Sequence, residues 1–500
     1  MKPRTRRAWR AVTVLLSVAW LVAACSANAA SSGRSAPGSP SATASPDGRA
    51  SSPALATLPP ASGPASVVHE STAPPGTQVN GTLENGTTWV AEYPASWNGT
   101  LVLYSHGYGA LAAADAPDPE TGQALLGQGY ALAGSSYDPN GSEWALNTAV
   151  SDQFGALSAV ESTVLPRTPD HVIAFGTSMG GLVSALEAEQ GAGRVDGALT
   201  TCGVVAGGVN LNDYQLDGEY AIAQLLGDPG TPLVALQGDQ AQSSAQALTD
   251  AAGNAQGTAA GRARLALAMA FLNVPTWDPG AAEPAPGGQP AAAEAAQYQA
   301  LTSGSYNTID FMMGGRGSIE QSAGGQPAGN AGVNFAQALA ASPYRSEVTA
   351  LYQAAGLSLT GDLATLSAHA KTTADPAALA SLRASSDPAG KLAVPELDLH
   401  TIGDNLVPVQ QENYYAARVS QAGAAGLLRQ AYTQSPGHCN FSVSEQVAGI
   451  EAVLQRVTTG QWGDAASPAA LQQAASALGM DPAHFTSYSP GPLTGAVAAG

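Results

Sequence analysis

Twenty residues, HVIAFGTSMGGLVSALEAEQ (171–190), restrict the fold more than any other part of the chain. HVIAFG is apolar without alternation, the reading of a strand covered on both faces rather than one with a wet side. LVSALEAEQ has helical spacing. The chain must therefore pass from strand to helix through GTSMG, a turn so tight that the strand and helix nearly touch. Small residues two before and two after the turn residue are then required, and Gly176 and Gly180 supply them. The residue at the apex is Ser178, its hydroxyl held above the sheet by a strained backbone, with the Met179 N–H pointing to the same place. A serine in a merely glycine-rich turn would look the same over these few residues. A nucleophilic serine also needs a base, an acid and a second oxyanion donor elsewhere.

Further buried strands surround this one. TLVLYS (100–105), GYALAGSS (129–136) and DGALTTCG (196–203) are continuous apolar runs, and NGTTWVAEYP (85–94) alternates. A helical stretch, ALNTAVSDQFGALSAVEST (145–163), lies between two of them. Strands alternating with helices predict an α/β fold with a mostly parallel central sheet and helices on both faces. From 204 to 390 the pattern becomes Ala-, Gly- and Gln-rich and almost wholly helical; we read it as a helical cap insertion. The sheet resumes in VPELDLHTIG (394–403) and LLRQAYTQS (427–435), and an amphipathic helix follows at 442–460. The expected organisation is a core of 66–203 and 391–465, the cap between them, and a C-terminal tail at 466–500.

The N-terminus lies outside that core. MKPRTRRAWR is a basic segment, and the apolar AVTVLLSVAWLVAA after it is short for a membrane span. Ala23-Ala24-Cys25 resembles a bacterial lipobox, which implies a lipoprotein signal at 1–24, lipidation of Cys25 and a membrane anchor there; secretory cleavage after Ala29 is the alternative. Residues 25–65 are nearly all Ser, Ala, Pro and Gly, a composition for a disordered tether. Either reading exports the protein. Cys202 and Cys439 are then an even pair in an oxidising compartment, where a disulfide is expected. The formal charge is −19, and about −24 once Lys2, Arg4, Arg6, Arg7 and Arg10 are removed (−19 − 5). Such a chain lacks the clustered cations that nucleic acid requires. Scattered histidines and few cysteines give no metal cluster, and no cofactor is implied.

The missing partners of Ser178 can be sought at strand ends. After TLVLYS comes His106-Gly107-Tyr108-Gly109; the Tyr108 N–H is the expected second oxyanion donor, with Gly109 next, and His106 orders the loop. After VPELDLH comes GDNLVP, which puts Asp404 in a turn where it can accept an imidazole N–H. Asp398 reads as a strand residue facing elsewhere, and Asp217 as a rival acid whose ordinary role is a solvated loop. After LLRQAYTQS comes SPGHCNF, with His438 as the base. His69, His171, His369, His400 and His484 read as structural or surface residues.

The order Ser178, Asp404, His438, with G-x-S-x-G, the H-G loop, G-D-x-x-V-P and the late G-H, resembles the α/β-hydrolase superfamily over about 85–203 and 392–462. The nearest impression is of secreted actinobacterial serine hydrolases of esterase type. The resemblance implies a Ser–His–Asp mechanism with an acyl-enzyme and an oxyanion held by the Met179 and Tyr108 amides. The His-Cys pair is similar to tannases and feruloyl esterases, where a disulfide braces serine and histidine. There the partner cysteine precedes the nucleophile; here that place is Thr177, so the bracing is expected from Cys202 and the substrate is not carried over. A weakly charged cap suits a small, uncharged, fairly hydrophobic ester as the partner. Two other readings compete: a serine peptidase of prolyl-oligopeptidase type, which usually brings a propeller absent from this sequence, and an inactive surface binding protein on the same scaffold.

Overall fold

The computed structural model describes residues 74–284, 288–302 and 307–495. The signal segment, Cys25 and the tether lie outside the described residues. The chain opens with two short strands, β1 (Val79–Thr82) and β2 (Thr88–Glu92), and continues as β3 (Thr100–Ser105), α1 (Pro119–Gly127), β4 (Ala131–Ser135), α2 (Ala149–Thr163), β5 (His171–Thr177), α3 (Met179–Gln190) and β6 (Gly197–Thr201). A run of helices follows: α4 (Gly208–Leu226), α5 (Gln240–Ala255), α6 (Ala259–Phe271), α7 (Pro290–Thr302), α8 (Thr308–Ala323), α9 (Phe335–Ala341), α10 (Arg345–Ala354), α11 (Leu359–His369) and α12 (Pro376–Ser386). The sheet then resumes with β7 (Glu396–Gly403), α13 (Gln410–Gln421), β8 (Leu428–Pro436), α14 (Val443–Thr459), α15 (Pro468–Leu478) and β9 (Phe485–Thr486).

Among the described residues nine strands form one sheet in the order β1-β2-β4-β3-β5-β6-β7-β8-β9. Strands β4, β3, β5, β6, β7 and β8 are parallel, while β2 and β9 pair antiparallel to their neighbours. This is the strand order of the α/β-hydrolase fold. Side chains of β3 alternate across the sheet, which explains its unbroken apolar run. Leu101 and Leu103 join Leu157 and Val160 of α2 and Ala185 of α3 in one core. Val102 and Tyr104 join Leu125 of α1 and Val447, Ile450 and Val453 of α14 in another. The α4–α11 helices enclose a separate core around Leu265, Phe271, Met313 and Phe335. Among the described residues no helix is long and apolar enough to cross a membrane.

From β3 the chain steps to β4 on one side and then back to β5 on the other. The two connections leave a crevice at the carboxyl ends of β3 and β5, the place where open α/β sheets bind ligands. Register does the rest. Ser105 lies opposite Gly176, so the loop after β3 begins beside the turn after β5. Thr177 lies opposite Thr201, so Cys202 begins beside Ser178. Gly403 lies opposite Pro436 across a bulge, so Asp404 begins beside the loop that carries His438.

Candidate active site

Ser178 adopts φ 62°, ψ −120°, a strained backbone for a residue with a side chain, and it stands at the N-terminus of α3 without using its hydroxyl as a cap. The hydroxyl is therefore free for another partner. The turn is as tight as the sequence demands: a Cβ on Gly176 would come within 1.8 Å of the Gly180 carbonyl oxygen, and one on Gly180 within 1.9 Å of the Ser105 carbonyl oxygen. The Ser178 N–H donates to the Thr201 carbonyl at 3.0 Å, tying the turn to β6.

His438 Nε2 lies 2.8 Å from Ser178 Oγ, and its Nδ1 lies 2.7 Å from Asp404 Oδ2. A buried carboxylate only accepts, so Nδ1 carries the proton and Nε2 presents its lone pair to the serine hydroxyl. Asp404 is fixed through its other oxygen, which accepts the N–H groups of Leu406 (2.9 Å) and Val407 (2.8 Å). Burial alone would raise this carboxyl. The charges and hydrogen bonds of His438 and His400 outweigh that cost and hold it well below the usual carboxylate range.

The loop carrying the base is held from several directions. Gly437 donates its N–H to Gly403 at 2.8 Å, and its carbonyl accepts from the Thr401 hydroxyl at 2.8 Å. Cys439 is disulfide-bonded to Cys202 with Cα atoms 5.3 Å apart, and both cysteines have positive φ, 53° and 44°. The bond joins the residue after the base to the residue after the strand flanking the nucleophile. The Sγ atoms and a His438 nitrogen lie within 4.8 Å of one another, but sulfurs already paired in a disulfide are not the thiolates a metal ion binds.

The loop after β3 abuts the serine. A Cβ on Gly107 would lie 3.4 Å from Ser178 Cβ. His106 donates from Nδ1 to the Gly107 carbonyl at 2.8 Å and stacks on Tyr137, ring centres 4.2 Å apart. Burial lowers its pKa, which keeps the imidazole neutral. Tyr108 and Met179 stand beside Ser178 around a small apolar cavity of about 40 Å³, also lined by Leu211 and Gln215 of α4 and Phe311 and Ile319 of α8. Tyr108 is pinned there by a hydroxyl contact to Ser318 at 3.0 Å.

One expectation needs correction, and one partner was missed. Asp217 is not in a solvated loop: it is buried within α4, where burial first and the neighbouring Asp213 second raise its pKa far above the carboxylate range. The helix begins at Gly208 and packs against α5, α6 and α8. His400 is a structural residue of β7, as expected, and it also reaches the acid. It is fully buried with Nδ1 2.8 Å from Glu412 Oε1 and Nε2 3.5 Å from Asp404 Oδ2. The His-x-x-x-Asp spacing at a strand end was a usable signal for this contact; Glu412, on α13, had none.

Strand order, elbow and the Ser–His–Asp geometry together define the class: an α/β-hydrolase fold that carries a Ser–His–Asp hydrogen-bond chain at its nucleophile elbow. Among particular proteins, the chain is similar to o-phthalyl amidase of Xanthobacter agilis, with 29% identity over 416 residues that cover 77% of this chain and 88% of that protein. No family model matches the chain. Solved structures with a likeness include an esterase from Aspergillus oryzae (14% identity, TM-score 0.36, covering 75% of this chain and 78% of that one). Feruloyl esterase B from Aspergillus oryzae is similar at 14% identity and TM-score 0.35, covering 77% of this chain and 80% of that one. At that level of superposition the fold assignment rests on the strand order and not on these neighbours.

Proposed function

We propose that the protein is an exported serine hydrolase that cleaves carboxylic esters with an uncharged, apolar acyl part. The observation that carries this reading is the continuous Ser178–His438–Asp404 hydrogen-bond chain at the mouth of an apolar cavity. In it His438 Nε2 takes the proton of Ser178 as the oxygen attacks the carbonyl carbon. The developing oxyanion accepts the N–H groups of Met179 and Tyr108, the imidazolium returns its proton to the leaving alkoxide, and water repeats the sequence to release the acid. Asp404 holds His438 in the tautomer this needs and offsets its charge.

The cavity argues for the acyl preference. Tyr108, Trp144, Phe311 and Leu211 line it, with Gln215 as a polar side chain and no cation among its described lining residues. At about 40 Å³ it suits a short or flat group. The disulfide supports export, since such bonds persist in oxidising compartments. Anchoring through Cys25 is the further part of the reading and rests on the N-terminal sequence. Amide cleavage is the second reading, favoured by the likeness to an amidase; the same base can protonate a leaving amine.

The test is labelling of the purified protein with a fluorophosphonate, mapping of the modified peptide, and a paired screen of esters and matching amides. Ser178 should carry the label, and Ser178→Ala should lose both the label and ester turnover while keeping its thermal midpoint. An unlabelled, folded wild-type protein would instead favour the binding-protein reading, and faster turnover of amides would move the second reading to the front.

A further inference from the structure

The catalytic assignment leaves a buried chain of charge unexplained. Behind Asp404 lies His400, then Glu412, then Asp398 and Glu396, all fully buried. A protein interior tolerates so many ionisable groups only when their protons and charges are apportioned. His400 Nε2 is 2.9 Å from the Val407 carbonyl oxygen, which can only accept, so Nε2 bears a proton. Its Nδ1 is 2.8 Å from Glu412 Oε1. The other Glu412 oxygen accepts from the Gln430 amide at 2.6 Å, and Gln430 also donates to the Glu412 backbone carbonyl at 2.9 Å. A carboxyl that accepts on one oxygen and faces a ring nitrogen with the other is satisfied best as an anion receiving an Nδ1–H. His400 is then an imidazolium.

We propose that His400 is a positioning residue for the triad: as a buried cation between Glu412 and Asp404, it holds the Asp404 carboxylate ionised and facing His438, and so sets the pH range over which the base is free. The proposal rests on the triad reading above. Its physical content is a local field. A positive charge 3.5 Å behind the Asp404 carboxylate keeps that carboxylate charged and offsets part of the field it presents to His438. Burial works against the cation, but the hydrogen bonds of Asp404 and Glu412 override it and move the His400 pKa up to about 10.

The other groups facing this chain do not supply a rival cation. From β7 come Asp398, pushed far up by burial and then by Glu412, and Glu396, also pushed up first by burial. From β8 comes Tyr432, from α13 Tyr415, and from α4 Tyr214, each raised by burial and therefore neutral. His438 faces Asp404 from the loop after β8. His400 is the one positive group among those named that touches Asp404 from behind.

His400→Gln separates charge from hydrogen bond, since the amide can still donate toward the Val407 carbonyl. With the cation gone, the buried Glu412 loses its counter-charge, and the field of Asp404 acts on His438 unopposed. The acid limb of the kcat/KM profile of the full chain should then move to higher pH by roughly one unit, the scale of one charge a few ångströms away in a buried site. Activity should fall far more at about pH 6 than at about pH 8. A limb that stays in place, with kcat/KM reduced by the same factor at every pH, would overturn the proposal and leave His400 a packing residue. Should the variant fail to fold, neutron diffraction of the wild-type protein at about pH 8 decides the matter. Deuterons on both His400 nitrogens and none on Glu412 are expected; a neutral ring with a deuterated Glu412 would refute it. The neutron result does not depend on Ser178, whose labelling tests the triad reading separately.

Discussion

Asp404 is the residue on which the site turns, because each of its oxygens has two partners. Oδ1 accepts two backbone N–H groups; Oδ2 meets His438 at 2.7 Å and His400 at 3.5 Å. Asp404→Asn would put an amide in that place, and its N–H₂ cannot accept from His438 Nδ1. The imidazole would then adopt the wrong tautomer, and kcat should fall by about 10⁴ with the fold intact. Asp217→Asn should leave kcat within a few-fold, since that carboxyl is already protonated inside α4. Steady-state kinetics on the two variants decide between them, and a large loss in the Asp217 variant alone would reassign the acid. Ser178, Asp404 and His438 were legible because each stands in a short loop just past an apolar strand, where local sequence fixes position. His400 was visible as a residue but not as a partner: its meaning depends on Glu412, which α13 delivers from a register no local pattern encodes. Asp217 was misread because an acidic residue soon after a strand, next to Gly218, looks like a loop until the helices packed against it are known.

Among the elements, the central strands were legible as unbroken apolar runs. Strands β1 and β9 were not, being four and two residues long and half-buried or exposed. Helices α1 and α13 were also passed over; α13 is rich in Gln, Asn and Tyr, which dilutes its apolar stripe. What joins these elements into a site is the register of β5, β6, β7 and β8, and the disulfide locks that register at its open end. Cys202 and Cys439 are 237 residues apart, and the segment between them includes α4–α12. Closing so long a loop in the unfolded chain is worth up to about 5 kcal/mol in the chain-entropy account, less where the unfolded state keeps structure. Both cysteines also sit at positive φ, a conformation that the surrounding bonds must enforce. Replacing both with alanine should lower the thermal midpoint by several degrees. It should also lower kcat/KM roughly ten-fold or more, since His438 is next to Cys439 and loses its tether. Calorimetry and ester kinetics on the double variant check both effects; an unchanged kcat/KM would confine the bond to stability.

At the scale of the whole molecule the chain is acidic, with a formal charge of −19, and it buries many of its carboxyls. Burial, more than neighbouring charge, moves Asp213 and Asp387 up to about 6 and Glu219 and Glu347 up to about 7, and it raises Glu396 as well. Glu219 keeps a buried partner in Arg316, and still titrates high. Each of these groups holds its proton more tightly folded than unfolded. Their contribution to stability is therefore full below the ordinary carboxylate values of 3.8 to 4.5 and is lost as pH rises through about 6 to 7. Asp404 runs the other way, its depressed pKa lending stability that disappears only in strong acid. Self-repulsion of the excess negative charge grows over the same rise in pH and has the same sign. The thermal midpoint should thus be higher near about pH 4 than near about pH 8, by about 5 °C or more. Glu347→Gln removes one of these titrations without adding a charge, and should make the fall shallower. A midpoint that is level or rises between the two pH values would mean that the buried carboxyls exchange their protons without strain, and that the acidity of the chain is carried by its surface alone.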